Sequence, residues 1–235
     1  MMNVKAIVME GNETSNKGFE RLKNSSIEVG NEFEIKKFNA ILPEDVNNTM
    51  EKYGLKWNWP WTKREIDKQT GIEKQPYATQ VKERRIACFL SHYMIWRESF
   101  EIDEPILILE HDALFIEKFD PIDALYSDYW FIGINDPRRA TRKEMVFFKE
   151  IEKRLDKIQP CPIIDNMKIA QGLAGGSAYI VKPDGGLALV KAAQKYGAWP
   201  NDALLCMQLF PGKLGVTKTF YTKVQGLPST TSTSR

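Results

Sequence analysis

Histidine and cysteine are scarce, two and three in 235 residues. Cys88, Cys161 and Cys206 lie far apart with no C-x-x-C spacing. That gives no support to a zinc ribbon, a thioredoxin-like redox motif or a disulfide framework, and makes a reducing, cytoplasmic setting the expectation. His92 and His111 form no H-E-x-x-H pattern, so a histidine-based zinc hydrolase is not expected and any metal must lean on carboxylates. Long apolar runs are missing as well. Stretches such as residues 106–109 stop far short of the ~20 residues that a spanning helix needs, so no membrane-spanning segment is expected. Residues 1–9 carry Lys5 and then turn polar without a small-residue cleavage site, which argues against a secretory signal.

What is present fits one folded domain. A hydrophobic content of 43% is too high for a disordered chain, and the length suits a single α/β domain over residues 1–227 followed by a Ser/Thr-rich tail, 228–235. The net charge of +2 hides a segregation. Residues 98–128 hold ten acids against Lys118 alone, a net of −9, so the remainder carries +11. Each block could be a solvated face. Alternatively, a cation sits on the acidic segment while basic flanks receive an anionic ligand. No basic stripe interleaved with aromatics follows a helix, so nucleic acid is not an expected partner.

Apolar runs and breakers predict strands at 4–9, 32–38, 106–109, 129–134, 177–181 and 216–221. Helices are predicted at 19–23, from Pro43 to a stop at Gly54, at 79–100, 141–157 and 183–196, and from Pro200 onward. Alternation of the two points to an α/β sandwich around a mostly parallel sheet. Residues 55–78 read as an irregular loop whose Trp57, Trp59 and Trp61 either pack as a satellite core or offer a platform to a sugar ring. The run at 106–109 is apolar at every position, as in a strand buried on both faces. Ligands of open α/β sheets bind beyond the carboxyl ends of strands, which directs attention to Glu110-His111-Asp112. If the chain stays extended there, Glu110 and Asp112 project to one side and His111 to the other. Two such carboxylates suit a hard divalent ion that also binds diphosphate, although acids after a strand can simply be solvated.

Residues 85–115, RIACFLSHYMIWRESFEIDEPILILEHDALF, resemble the signature of glycosyltransferase family 25, the lipopolysaccharide and collagen galactosyltransferases. Ala178-Tyr179-Ile180-Val181-Lys182-Pro183, Asp202, Gln225 and Ser229 continue the resemblance in order. Ala87 stands where the family has glycine, Arg85 where an acid is usual, and His111 where the family has the middle aspartate. At the amino terminus, Ile7-Val8-Met9-Glu10-Gly11-Asn12 departs from the family pattern. The resemblance implies an α/β fold of the GT-A nucleotide-diphospho-sugar transferase type. It also implies inverting transfer of a hexose, possibly galactose, from a UDP-sugar to a hydroxyl of a glycan, lipid-linked or protein acceptor. A Mn²⁺ or Mg²⁺ would be held by Glu110 and Asp112. Donor contacts fall on Glu10, Arg84, Arg85, Ser91, His92 and His111, and Asp202 is the candidate base, with an ordinary first-turn helix acid as its alternative. Other readings of the same residues are a relative that binds a sugar nucleotide or glycan without transfer, and an unrelated α/β phosphatase or nucleotidyltransferase. His92 could instead be a satisfied helix histidine, Cys88 is expected to be a small buried hydrophobe, and Asn135-Asp136 to form a turn. Gly172, Gly175 and Gly176 are expected to form a flexible approach that closes over substrates.

Overall fold

The computed structural model describes residues 2–77, 79–141 and 143–228, so Ser229 and all of the tail except Pro228 lie outside the described residues. In chain order the elements are β1 (Asn3–Val8), α1 (Glu13–Glu28), β2 (Ile35–Asn39), α2 (Val46–Lys52), β3 (Glu65–Ile66) and β4 (Glu73–Lys74). They continue with α3 (Lys82–Glu101), β5 (Ile106–Glu110), β6 (Ala113–Phe115), α4 (Ile122–Tyr126), β7 (Phe131–Gly133) and α5 (Glu144–Glu152). The last six are β8 (Ile158–Pro160), β9 (Ala178–Val181), α6 (Pro183–Tyr196), α7 (Asn201–Leu204), β10 (Leu214–Thr217) and β11 (Thr222–Val224).

Seven strands form the central sheet in the order β2, β1, β5, β9, β7, β10, β8. Five point one way, while β9 and β8 run against their neighbours. The chain is thus α/β with a mostly parallel sheet flanked by helices, as the GT-A expectation requires. None of the described helices is long and apolar enough to cross a membrane.

Strand β5 shows why the sheet forms where it does. Ile106 and Ile108 enter the core shared with α3 and α6, whereas Leu107 and Leu109 enter the opposite core, beneath α1. Period-two alternation between two apolar layers demands an apolar residue at every position. Helix α3 is buried on most sides, through Phe89, Tyr93, Ile95 and Trp96. Its crossing with α6 is close enough that a Cβ on Gly186 would lie 2.3 Å from the Trp96 carbonyl oxygen.

Several element predictions need correction. Helix α1 is far longer than residues 19–23. Asn12 caps it, its Oδ1 accepting from the Ser15 amide at 2.9 Å, and its buried stripe includes Ser15, Gly18, Ser25 and Ser26, which carry no apolar signal. Of the expected strand at 216–221 only Val216 and Thr217 are strand, the end of β10; the chain then bends, and β11 begins at Thr222 in a different sheet. Helix α5 is shorter than residues 141–157: it ends at Glu152, and the residues before β8 form an irregular link. In the loop after α2, Trp59 is buried and donates to the Gln75 carbonyl at 2.7 Å, whereas Trp57 and Trp61 stack on each other with centroids 5.1 Å apart. Beneath them lies a buried ion pair. Lys74, 2% exposed, donates to Asp67 at 2.6 Å and to the Asn58 carbonyl at 2.8 Å, with its ammonium 4.3 Å from the Trp199 ring centroid.

Candidate active site

Neighbouring strands β1 and β5 are paired so that Ile7 faces Glu110, and both carboxyl ends open on one side of the sheet. A cavity of about 210 Å³ lies there, lined by Glu110, His111, Asp112, Arg85 and Asp202 together with Tyr77, Cys88, Gly176, Asn201, Leu227 and Pro228. Residues 92 positions apart in sequence, Glu110 and Asp202, are thus brought together by the short helix α7. Glu110 is the last residue of β5, and the chain turns at His111 and Asp112 before β6. The extended geometry expected for the triplet is therefore corrected: all three side chains, His111 included, line the cavity.

Crowding by protein and by like charge sets the electrostatics. Asp112 is pushed up to about 7, first by burial and then by the Glu110 charge. Burial also opposes ionisation of Glu110, but the hydrogen bond from His92 and nearby positive charge, Arg85 included, outweigh it and hold that carboxyl below the usual range. Asp202 is open to the cavity yet closely ringed by protein, and desolvation raises it despite Arg85. Arg85 stacks its guanidinium 4.1 Å from the Tyr77 ring centroid, and its Nε is buried without a partner.

A narrow apolar slot of about 50 Å³ adjoins this cavity, sharing Cys88, Glu110 and His111 and adding Arg84, Ser91 and His92. A wider cavity of about 420 Å³ follows, lined by Glu10, Gly11, Asn12 and Arg84. Every candidate residue therefore lies along one continuous groove, but two are engaged inside the protein. Ser91 accepts from the Ile41 amide at 2.9 Å and donates to the Ala87 carbonyl at 2.8 Å, tying the segment after β2 to α3. His92 is 1% exposed, with Nδ1 2.9 Å from the Tyr179 hydroxyl and Nε2 3.1 Å from Glu110.

Two donor sets here could hold a metal ion. Glu110 and Asp112 supply hard oxygens, and Asp112 Oδ1 is buried with no hydrogen-bond partner, the condition a cation would relieve. Cys88, His92 and Glu110 bring a thiol, an imidazole nitrogen and a carboxylate within 4.8 Å of one another. Burial raises the Cys88 thiol, which disfavours the thiolate that a metal needs. The oxygen pair is the better match to a hard cation.

Sequence reasoning missed several of the lining residues. Cys88 is half-buried at the groove, not a buried hydrophobe, and the helical spacing of Arg85, Cys88 and His92 was the available signal. Tyr77 carried none. Of the three expected approach glycines, Gly176 lines the cavity, and Gly172 lets the chain pack close to α7, where a Cβ would meet the Asp202 and Leu205 carbonyls at 2.6 Å. Asn135 and Asp136 are buried structural groups, Asp136 pairing with Arg138 at 2.6 Å and Asn135 accepting from Thr222 at 3.2 Å. A strap after β11 closes the groove. Gln225 donates its amide N–H to the Asp112 carbonyl at 2.7 Å, and its side-chain Nε2 reaches the Gly18 and Ala113 carbonyls at 2.9 Å.

Solved structures similar to this chain include three of low identity, each matched over 92% of this chain. The galactosyltransferase LgtC in complex with donor and acceptor sugar analogs has 10% identity, a TM-score of 0.43 and 73% of its chain covered. Mouse xyloside xylosyltransferase 1 in apo form has 11% identity, a TM-score of 0.44 and 84% covered. The glycosyltransferase GlyE of Streptococcus pneumoniae TIGR4 has 11% identity, a TM-score of 0.41 and 45% covered. No curated protein sequence matches. The family model described as glycosyltransferase family 25 (LPS biosynthesis protein) matches residues 13–205, a span that takes in α1, the acidic triplet and Asp202. On that match the chain belongs to glycosyltransferase family 25.

Proposed function

We propose that the protein transfers a hexose, with galactose the first candidate, from a UDP-sugar to an acceptor hydroxyl of a glycan, lipopolysaccharide or protein, with inversion. The observation that supports this most is the convergence of Glu110, Asp112, Arg85 and Asp202 on one cavity at the carboxyl end of β5. Glu110 and Asp112 are the groups that would hold Mn²⁺ or Mg²⁺, which when bound supplies Lewis-acid stabilisation of the departing diphosphate. Arg84 and Arg85, in the first turn of α3, offer charge-assisted hydrogen bonds to phosphate oxygens. Glu10, with Arg84, lines the wider cavity on the donor side. Asp202 accepts the proton of the attacking hydroxyl. Its raised affinity for a proton, set by desolvation, makes it a stronger base than an exposed carboxylate. The three free cysteines suit a reducing, cytoplasmic setting.

The test is incubation with a panel of UDP- and GDP-sugars and Mn²⁺, with and without acceptors, reading nucleotide release. Release of UDP that disappears with EDTA and in Asp112→Asn is the expected result. Steady turnover in Asp112→Asn removes the metal assignment, and unchanged transfer in Asp202→Asn removes the base. Donor binding without turnover would favour a relative that only binds.

A further inference from the structure

Behind Glu110 lies a chain of hydrogen bonds whose direction follows from counting donors. The Trp96 indole N–H can only donate, and it points at the Tyr179 hydroxyl oxygen at 2.8 Å. Tyr179 must then send its own hydrogen elsewhere, and His92 Nδ1 lies 2.9 Å away. Both ring systems are buried, Trp96 at 0% and Tyr179 at 1% exposure, so bulk water does not offer an alternative acceptor. With Nδ1 accepting, a neutral imidazole carries its hydrogen on Nε2, the atom 3.1 Å from Glu110 Oε1. The opposite tautomer would strand the Tyr179 hydrogen and set a nitrogen lone pair against a carboxylate oxygen. A doubly protonated ring would strand the same hydrogen.

We propose that His92 is a positioning residue for Glu110. Trp96 and Tyr179 hold it as the Nε2–H tautomer, and its N–H fixes Glu110 Oε1, so that the second carboxylate oxygen is the one left for a cation. The consequence for metal binding rests on the reading under Proposed function, whereas the tautomer does not. Protonation of Nε2 also removes the lone pair that a metal bound by Cys88, His92 and Glu110 would need, which leaves the oxygen pair as the metal centre.

The chain contains only two histidines, so His111→Gln leaves His92 as the single imidazole to observe by long-range ¹H–¹⁵N NMR in the metal-free protein. The expected spectrum is that of the neutral Nε2–H form, shifting to a tautomer mixture when Tyr179→Phe is added. An Nδ1–H tautomer of the neutral ring overturns the proposal. Mn²⁺ affinity, read by electron paramagnetic resonance, should fall about tenfold or more in His92→Leu, as loss of an outer-shell partner does. In His92→Gln, whose amide can still donate to Glu110, it should stay near the wild-type value. Equal affinity in His92→Leu and wild type, with both folded by circular dichroism, overturns the positioning role. A wild-type protein that binds neither Mn²⁺ nor Mg²⁺ overturns the metal reading, and the tautomer spectrum still decides the hydrogen-bond chain.

Discussion

Replacing Gly18 by alanine sets two well-separated effects against each other. Gly18 lies within α1, where glycine to alanine ordinarily stabilises a helix by ~0.8–1.0 kcal/mol. Here the added Cβ would lie 2.6 Å from the His111 carbonyl oxygen and 2.8 Å from Leu227 Cδ1. The leucine tip can rotate away, but the carbonyl belongs to the acidic turn, which would have to retreat by several tenths of an ångström or more. Overpacking of this kind costs about 1–3 kcal/mol. Displacing the turn also strains the contacts of Gln225 with the Gly18 and His111 carbonyls, each worth about 1 kcal/mol net. The helix gain offsets only part of this, so Gly18→Ala should lose about 1–3 kcal/mol. For a chain of this size that is a fall in Tm of roughly 2–12 °C. Urea denaturation of Gly18→Ala beside Asn24→Ala, an exposed site in the same helix, separates contact from propensity. Asn24→Ala should gain about 0.5 kcal/mol. If Gly18→Ala gains as well, the close approach of α1 to the acidic turn does not control stability and the reasoning is wrong.

Three more perturbations probe the buried charges. Lys74→Met leaves the Asp67 charge without its counter-ion and the Asn58 carbonyl without its donor in the interior, and should cost about 3–5 kcal/mol by urea denaturation, whereas loss of an exposed pair would cost under about 1. The Asp67 carboxyl is held low because Lys74 and the Thr70 contacts outweigh its desolvation. Its stabilising share is therefore present above the usual aspartate range and should be lost as pH falls through and below it, and Asp67→Asn should flatten that limb of a stability–pH curve. Asp112 titrates the other way. With its carboxyl raised to about 7, a cation must displace a proton below that pH, so Mn²⁺ affinity measured by calorimetry should climb between about pH 6 and 8 and then level off; a flat profile would contradict the burial of Asp112.

Strands buried on both faces were legible because their alternation leaves no polar position, as in β5, and α3 was legible from its apolar spacing. Helix α1 was largely hidden, since its inward face carries only Phe19 and Leu22 as large apolar residues beside Ser15, Gly18, Ser25 and Ser26, whose burial leaves no apolar signal. Short strands β6, β8 and β11 could not be read either, because none sits in an apolar run as long as the one around β7 and each depends on a partner far away in sequence. At the site, the acidic triplet and Asp202 were found by position and resemblance. Tyr77 and the Tyr179 hydroxyl were not, because an aromatic residue announces packing and gives no sign of where its ring edge or hydroxyl will point.

The strap that ends in Leu227 and Pro228 also orders events in time. Glu110 and Asp112 emerge from a ribosome long before Gln225, the residue that fastens their turn. At roughly 5–20 residues per second, the turn waits several seconds for its fastening. During that interval a nascent chain carries the acidic pair on an unpinned loop, and a product cut short before β11 would keep the seven-stranded sheet while its acidic turn lacked the Gln225 contacts. The shape of the acidic turn thereby depends on a segment that plays no part in building the sheet.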